Sequence, residues 1–461
     1  MGDLEVIGIL TPLLAAVMVL VIARADPNAR SMTMVFLTGV ATLGFNGYDL
    51  PRYVWVPLEF VVIGLFLLRL RQVRVWQNPA VLACLGFLLL AYLSLAWALW
   101  RNGVTPGWTG AIVNVTAVTL AAAYLLSDLS LAPRHMAALK YMGLVLGLVA
   151  LSGIYEAVRD PGGRVSGIYA FVNPFAYMMA IGFMLAVHFW RGPIRVVLAL
   201  LTLTALFFTA SRAGYLMVAV FGLWKIWETA RRGQVIPLTA LVIGGTIFAA
   251  VASQGIEGRY AGIANKANVD AERQLIFRSA ELALRQHPVT GLGWGQFKHQ
   301  YRRYGAYRLS TDSFEVDQRL GFFGHRRELV THNDFLSVAV EMGLPVFVLF
   351  MAGFLFALRN ALVMNHPARA LVVPLFVGNA VYSLTHNSSN SVIFFYLLFM
   401  PFAFSQLAFA PRRARIGQRT APAGREPEEE EPEDPEPDPD GQPDVYGPRL
   451  PEGVVPAPAA G

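Results

Sequence analysis

Seven polar residues stand where an otherwise apolar chain has reason to exclude them: Arg164, Arg212, Arg273, His332, Asn333, Asp334 and His386. Arg164, in Arg164-Val165-Ser166-Gly167, and Arg212, in Ser211-Arg212-Ala213-Gly214, each lie in a short connection between apolar runs. A charge beside a membrane-length run is costly and calls for a reason. A guanidinium presents a planar fork of donors that matches phosphate oxygens two at a time, so a phosphate held at a helix stop is one reason. A snorkelling anchor at the lipid–water boundary is the other. Arg273 recurs with Phe277, Ala280 and Leu284 at helical spacing, which places it on the buried face of a helix predicted over 270–286 and ended by His287-Pro288. A charge on that face needs a counter-charge, either an acid of the same segment or an anionic ligand.

Thr331-His332-Asn333-Asp334 opens a long apolar stretch that continues through Glu341-Met342-Gly343. An imidazole there can take a proton from a hydroxyl at neutral pH without burying a permanent charge; a plain surface histidine is the alternative. Asp334 and Glu341 are seven residues apart and so fall on nearly the same helix face. A second Thr-His-Asn at Thr385-His386-Asn387 runs into Ser388, Ser389, Asn390 and Ser391, which suits a turn or the lining of a sugar site. Gly291-Leu292-Gly293-Trp294-Gly295 looks like a phosphate loop, but it follows a helix rather than a strand. A turn closely approached by backbone or ligand is what these residues support.

The elements that must position these groups are membrane spans. Of 461 residues, 55% are hydrophobic and 15% charged, against about a quarter charged in globular domains. Basic residues flank runs of spanning length, which excludes a soluble enzyme and a soluble nucleic-acid binder. The one cysteine, Cys84, allows no intrachain disulfide and no Cys/His zinc cluster. Spans are expected at about 6–23, 31–45, 53–70, 79–100, 108–127, 138–158, 171–190, 194–210, 213–228, 235–254, 333–358, 369–385 and 391–408. The first has Asp3 and Glu5 before it and no basic n-region, so it reads as a retained span rather than a signal. Ala210-Ser211-Arg212 leaves almost no loop, so helices there are expected to stop inside the protein.

Alternate short connections hold eighteen Lys and Arg against five in the others, which puts the amino terminus outside and the carboxyl terminus inside. The expected fold is an all-α polytopic membrane protein of 12–13 spans. Its divisions are spans over 1–254, an outer helical lobe over 255–331, further spans over 332–410, and a cytoplasmic tail over 411–461. The tail alternates acid and proline from Glu426 to Asp440, a composition unable to bury a core. The fifty residues from Arg412 hold twelve of the 31 acids and six of the 37 bases, so the body carries 31 − 19 = +12 where the whole chain carries +6.

Four stretches in this order resemble the O-antigen ligase and O-antigen polymerase superfamily of polytopic membrane glycosyltransferases. They are Arg164 to Phe175 with its Asn173-Pro174; Ser211-Arg212-Ala213-Gly214; Arg273 through His287-Pro288 to Gln296-Phe297; and His332-Asn333-Asp334 through Glu341-Met342-Gly343. The resemblance covers about 150–400. It implies metal-independent transfer, with no cofactor, of a glycan from an undecaprenyl diphosphate carrier at the periplasmic face of the bacterial inner membrane. The acceptor would be a hydroxyl of lipid A core for a ligase or of another lipid-linked repeat for a polymerase. It further implies that Arg212 and Arg273 hold the diphosphate and that His332 activates or orients the acceptor. Arg164, Asn333, Asp334 and His386 remain candidate substrate-binding residues. Family members have about twelve spans with both ends inside, one fewer than the count here. A solute transporter and a noncatalytic polysaccharide-assembly protein share the span count; the transporter should show inverted repeats and charges near the midplane, and of the latter only Glu59 is found.

Overall fold

The computed structural model describes residues 64, 67–68, 77–104, 107–128, 132–160, 164–168, 172–231, 233, 266–304, 331–386 and 392–405. The chain divides into two compact units, Met1–Ala410 and Pro411–Gly461, and the second lies wholly outside the described residues. The expected spans at 6–23, 31–45 and 235–254, nearly all of 53–70, and the acidic tail also lie outside them.

The regular elements among the described residues are all helices, without strands: α1 (Pro79–Asn102), α2 (Trp108–Asp128), α3 (Ala132–Arg159), α4 (Val172–Phe189), α5 (Gly192–Thr209), α6 (Arg212–Arg231), α7 (Lys266–Gln286), α8 (Phe297–Tyr304), α9 (Asp334–Met342), α10 (Leu344–Val363), α11 (Arg369–Ser383) and α12 (Val392–Ala403). Hydrocarbon offers backbone groups no partner, so a run of apolar residues must satisfy them within a helix. Six of these helices, α1 to α5 and α10, are long and apolar enough to cross a membrane, and α11 and α12 are shorter apolar helices. Local signals mark their ends. Asn78 caps α1 by accepting from Ala80 and Val81 N–H at 3.0 and 3.3 Å, with Pro79 at the first helical position. Aromatic and basic residues gather at the two ends of the bundle, as at a membrane interface. Trp97 and Trp100 pair at 5.1 Å near the end of α1. Trp224 and Trp227 pair at 4.7 Å near the end of α6, and Arg231 lies over Trp227.

Helices α3, α4 and α5 pack on one another, α6 lies against α4 and α11, and α12 touches α1, α2, α10 and α11. Helices α7, α8 and α9 form a small cluster that rests through α9 on α1. Its core is Ile276, Ala280, Ala283, Leu292, Phe297, Tyr301 and Val340.

Two expectations are corrected here. The apolar stretch 333–358 is not one span. Gly343, at φ 86°, ends α9, and Pro345 restarts the chain in the first turn of α10, so the membrane-length helix begins only at Leu344. Helix α7 starts at Lys266 rather than 270, and its buried face is turned from the expected one: Ile276, Ala280 and Ala283 are buried while Phe277 is 46% exposed. The alanines let α7 approach closely, which a phenyl ring at that interface would prevent. Arg273 precedes Ile276 by three residues and Ala280 by seven, so its position stays on this side of the helix.

Candidate active site

The α5–α6 junction is buried, although it stands between two apolar helices. Thr209 is fully buried, Ala210 and Ser211 are each 2% exposed, and Arg212, the first residue of α6, is exposed. Ala210 turns the chain in the left-handed region, φ 49°, and its N–H donates to Phe207 O at 3.1 Å. The segment 164–168 is strapped to this corner. Arg164 Nε donates to Thr209 O at 2.9 Å, and Val165 N–H donates to Phe208 O at 3.3 Å. Glu156, at the end of α3, accepts from Ser166 and Gly167 N–H at 2.9 and 2.6 Å, which fixes the strap from its other side. Arg164 is thereby held to a carbonyl three residues before Arg212, and its terminal nitrogens take no part in that bond.

A second group of residues joins α4, α9 and α11 at the same end of the bundle. Tyr382 OH donates to Asn173 O at 2.7 Å, tying the end of α11 to the start of α4. Tyr177 OH donates to Asn379 Oδ1 at 2.5 Å, and the rings of Tyr177 and Tyr382 lie 4.6 Å apart. His386 stacks on Tyr382 at 5.0 Å and 27°, and its Nδ1 is 3.1 Å from Thr385 Oγ1. Asp334 is 1% exposed, and its charge acts on both phenols. Asn387 lies outside the described residues.

His332 leads into α9 with φ 50°. Thr331 Oγ1 donates to Asn333 O at 3.0 Å and hydrogen-bonds Ser337 Oγ, while Asn333 Oδ1 caps α9 by accepting from Leu336 N–H at 2.9 Å. The oxygen of Asn333 is therefore committed to the helix start. Ala210 and His332 are the two non-glycine residues with positive φ among the described residues. Such a conformation costs of order 1–3 kcal/mol and concentrates at functional sites. Both adjoin the candidate residues. Arg273 lies in α7, which packs on α9; its side chain is outside the described part of the structure.

Glu341 is the residue whose role the sequence left unassigned. Its carboxylate accepts from Gly295 N–H at 3.0 Å and Phe297 N–H at 3.1 Å, capping α8. Its carbonyl accepts from Gly293 N–H at 2.8 Å and Ser94 Oγ at 2.7 Å. Gly291 to Gly295 is thus a turn approached by backbone. A Cβ on Gly291 would fall 2.4 Å from the Glu341 carbonyl, and one on Gly343 would fall 2.2 Å from Val289 O. Trp294 meets Phe87 edge-on at 5.4 Å, fastening the turn to α1. Burial pushes the Glu341 carboxyl up to about 7, against the pull of the two N–H donors. Burial, then the Arg101 charge, lowers the pKa of His287, whose Nε2 is 2.9 Å from Tyr304 OH. Although seven residues apart, Asp334 and Glu341 serve different neighbours, since seven helical residues rise about 10 Å.

Sequence reasoning missed Tyr177, Asn379, Tyr382 and Ser94, because polar groups inside apolar helices carry no spacing signal. Among the described residues, no group of three or more His, Cys, Asp or Glu is arranged to hold a metal ion.

A family model described as O-antigen ligase matches residues 197–351. The match takes in Arg212, Arg273, His332, Asn333, Asp334 and Glu341, and leaves Arg164 and His386 outside it. No curated protein matches the chain. Over residues 197–351 this multi-pass membrane protein is similar to the O-antigen ligase family, a likeness that supports ligase- or polymerase-type function in polysaccharide biosynthesis.

Proposed function

We propose that the protein is a metal-independent glycosyltransferase of the bacterial inner membrane. It moves a glycan from undecaprenyl diphosphate to an acceptor hydroxyl, on lipid A core or on another lipid-linked glycan, at the periplasmic face. The observation that carries this reading is the pairing of two strained backbone positions with the two kinds of group such a transfer needs. Ala210 leads into the arginine corner, and His332 stands two residues before the buried Asp334.

In the reaction the acceptor oxygen attacks the anomeric carbon and gives its proton to His332. The bond from that carbon to the phosphate oxygen breaks, and its electron pair stays on the departing lipid diphosphate. Arg212 and Arg273 bind that diphosphate, with Arg164 as a neighbour, and stabilise the charge as it develops. Asp334, Asn333 and His386 belong to the acceptor side, where Asp334 favours the imidazolium that forms. Polysaccharide-assembly proteins of the same membrane are the natural suppliers of donor and acceptor.

The test is transfer by the purified full chain in proteoliposomes, supplied with lipid-linked glycan and acceptor. Arg212→Lys and Arg273→Lys keep the charge and lose the bidentate fork. A lost charge-assisted hydrogen bond is worth about 1.5–3 kcal/mol, so each should slow transfer by roughly ten- to a hundredfold with normal insertion. Full activity of both variants would remove the diphosphate clamp, and no transfer by the wild-type protein would favour a noncatalytic assembly role.

A further inference from the structure

Ser211 occupies the N-cap position of α6. Its carbonyl accepts from Tyr215 N–H at 3.1 Å, and the helix starts at Arg212. A serine there ordinarily turns its hydroxyl onto the N–H of the second or third helical residue. Ser211 Oγ makes no such bond: the residue is 2% exposed, and the atom has no hydrogen-bond partner among the described residues. An unpartnered buried hydroxyl is disfavoured, and in a native structure it calls for an explanation.

The surroundings point to an anion as that partner. The first-turn N–H groups of α6 have no acceptor inside the helix, and the positive end of the helix dipole lies there. The corner is held rigidly: Ser211 N–H donates to Thr209 Oγ1 at 3.2 Å, and Tyr215 OH donates to Phe207 O at 2.9 Å. Gly214 keeps the helix start close to its neighbours, since a Cβ there would fall 2.6 Å from Leu206 Cδ1 and 3.3 Å from Ala176 Cβ. Two exposed guanidinium groups flank the corner, Arg212 next in sequence and Arg164 through its bond to Thr209 O.

We propose that Ser211 Oγ and the first-turn N–H groups of α6 bind one phosphoryl group of an isoprenoid diphosphate, while Arg212 and Arg164 neutralise its charge from the exposed side. Ser211 is then a binding residue of the donor site. The assignment rests on the diphosphate-carrier chemistry proposed for Arg212, and it adds a neutral donor that distinguishes a phosphoryl oxygen from a diffuse negative surface.

Ser211→Ala separates this role from a structural one. Removing an unpaired buried hydroxyl should leave the unliganded protein as stable as the wild type, or more so. Affinity for a diphosphate should fall by about ten- to a hundredfold, the range of one hydrogen bond to a charged acceptor. The full chain in neutral detergent is titrated with farnesyl diphosphate by calorimetry, and melting temperatures are read with and without it. Ser211→Thr, which restores a hydroxyl, should bind within a few-fold of the wild type. Unchanged affinity in Ser211→Ala overturns the assignment, as does a lower melting temperature of that variant without ligand. Competition by phosphatidylglycerol at concentrations comparable to farnesyl diphosphate overturns it in favour of a lipid headgroup. Failure of the wild type to bind farnesyl diphosphate would remove the carrier chemistry itself, whereas retained binding in Ser211→Ala removes only the part given to Ser211.

Discussion

Replacing Glu341 with glutamine keeps the shape of the side chain and removes its titration, and the expected effect can be worked from the site. The carboxyl is buried against the Gly291–Gly295 turn and is raised from an ordinary 4.5 to about 7. Between these values the folded state holds a proton that the opened state has released. Stability of the turn therefore falls as pH rises through this window, and the loss is complete above about pH 8. The difference of about 2.5 pH units corresponds to about 3 kcal/mol, or on the order of a hundredfold in the opening equilibrium. Hydrogen–deuterium exchange of peptides spanning 291–304, divided by the intrinsic rate at each pH, measures that equilibrium locally. The wild type should open progressively more between pH 5 and pH 8, and Glu341→Gln should give a nearly flat profile. An equally steep profile in both proteins would show that another group titrates, and a flat wild-type profile would show that Glu341 stays ionised throughout.

His332→Gly relieves a left-handed backbone that costs a non-glycine residue roughly 1–2 kcal/mol, partly offset by the roughly 0.5–1 kcal/mol entropic cost of glycine. Its melting temperature should therefore match the wild type or exceed it, while transfer falls by about 10² to 10⁴; an active His332→Gly or His332→Gln enzyme, with a wild-type rate that shows no inflection near neutral pH, would rule out proton transfer by this residue. Alkaline phosphatase fused within 255–331 should be active and fused after 411 inactive, because the basic residues of the short connections fall eighteen to five on one side. The reverse pattern would take the site out of the periplasm.

The described spans follow the apolar runs to within a few residues at most ends, because hydrocarbon admits few alternatives to a helix of that length. The stop between α5 and α6 was also legible, since Ala210-Ser211-Arg212 is too short to leave the protein. The break at Gly343 is carried by Gly343 and Pro345, a helix stop followed by a helix start, and not by hydropathy, which does not register backbone conformation. Phe277 was misplaced for a related reason: a phenyl group scores as more buried than Ala283, yet the tight contact of α7 selects the smaller residue. The arginines and His332 stood out as polar groups in costly places. Tyr177, Tyr382 and Asn379 did not, because their meaning lies in pairings between helices some two hundred residues apart.

The ties at Tyr304 and Thr331 have a consequence for how such a chain can diversify. Tyr304 is held by His287, and Thr331 by Asn333 and Ser337, so the stretch 305–330 departs from and returns to anchored points. The entropy of closing a loop grows only with the logarithm of its length, and doubling it costs about 0.6 kcal/mol. By this measure added length between those anchors costs little, whereas a single added residue at Ala210-Ser211 would rotate every side chain of α6 by about 100° about its axis. The length of chain between Tyr304 and Thr331 is therefore free to change at little cost, while the corner at Ala210-Ser211 has almost no latitude.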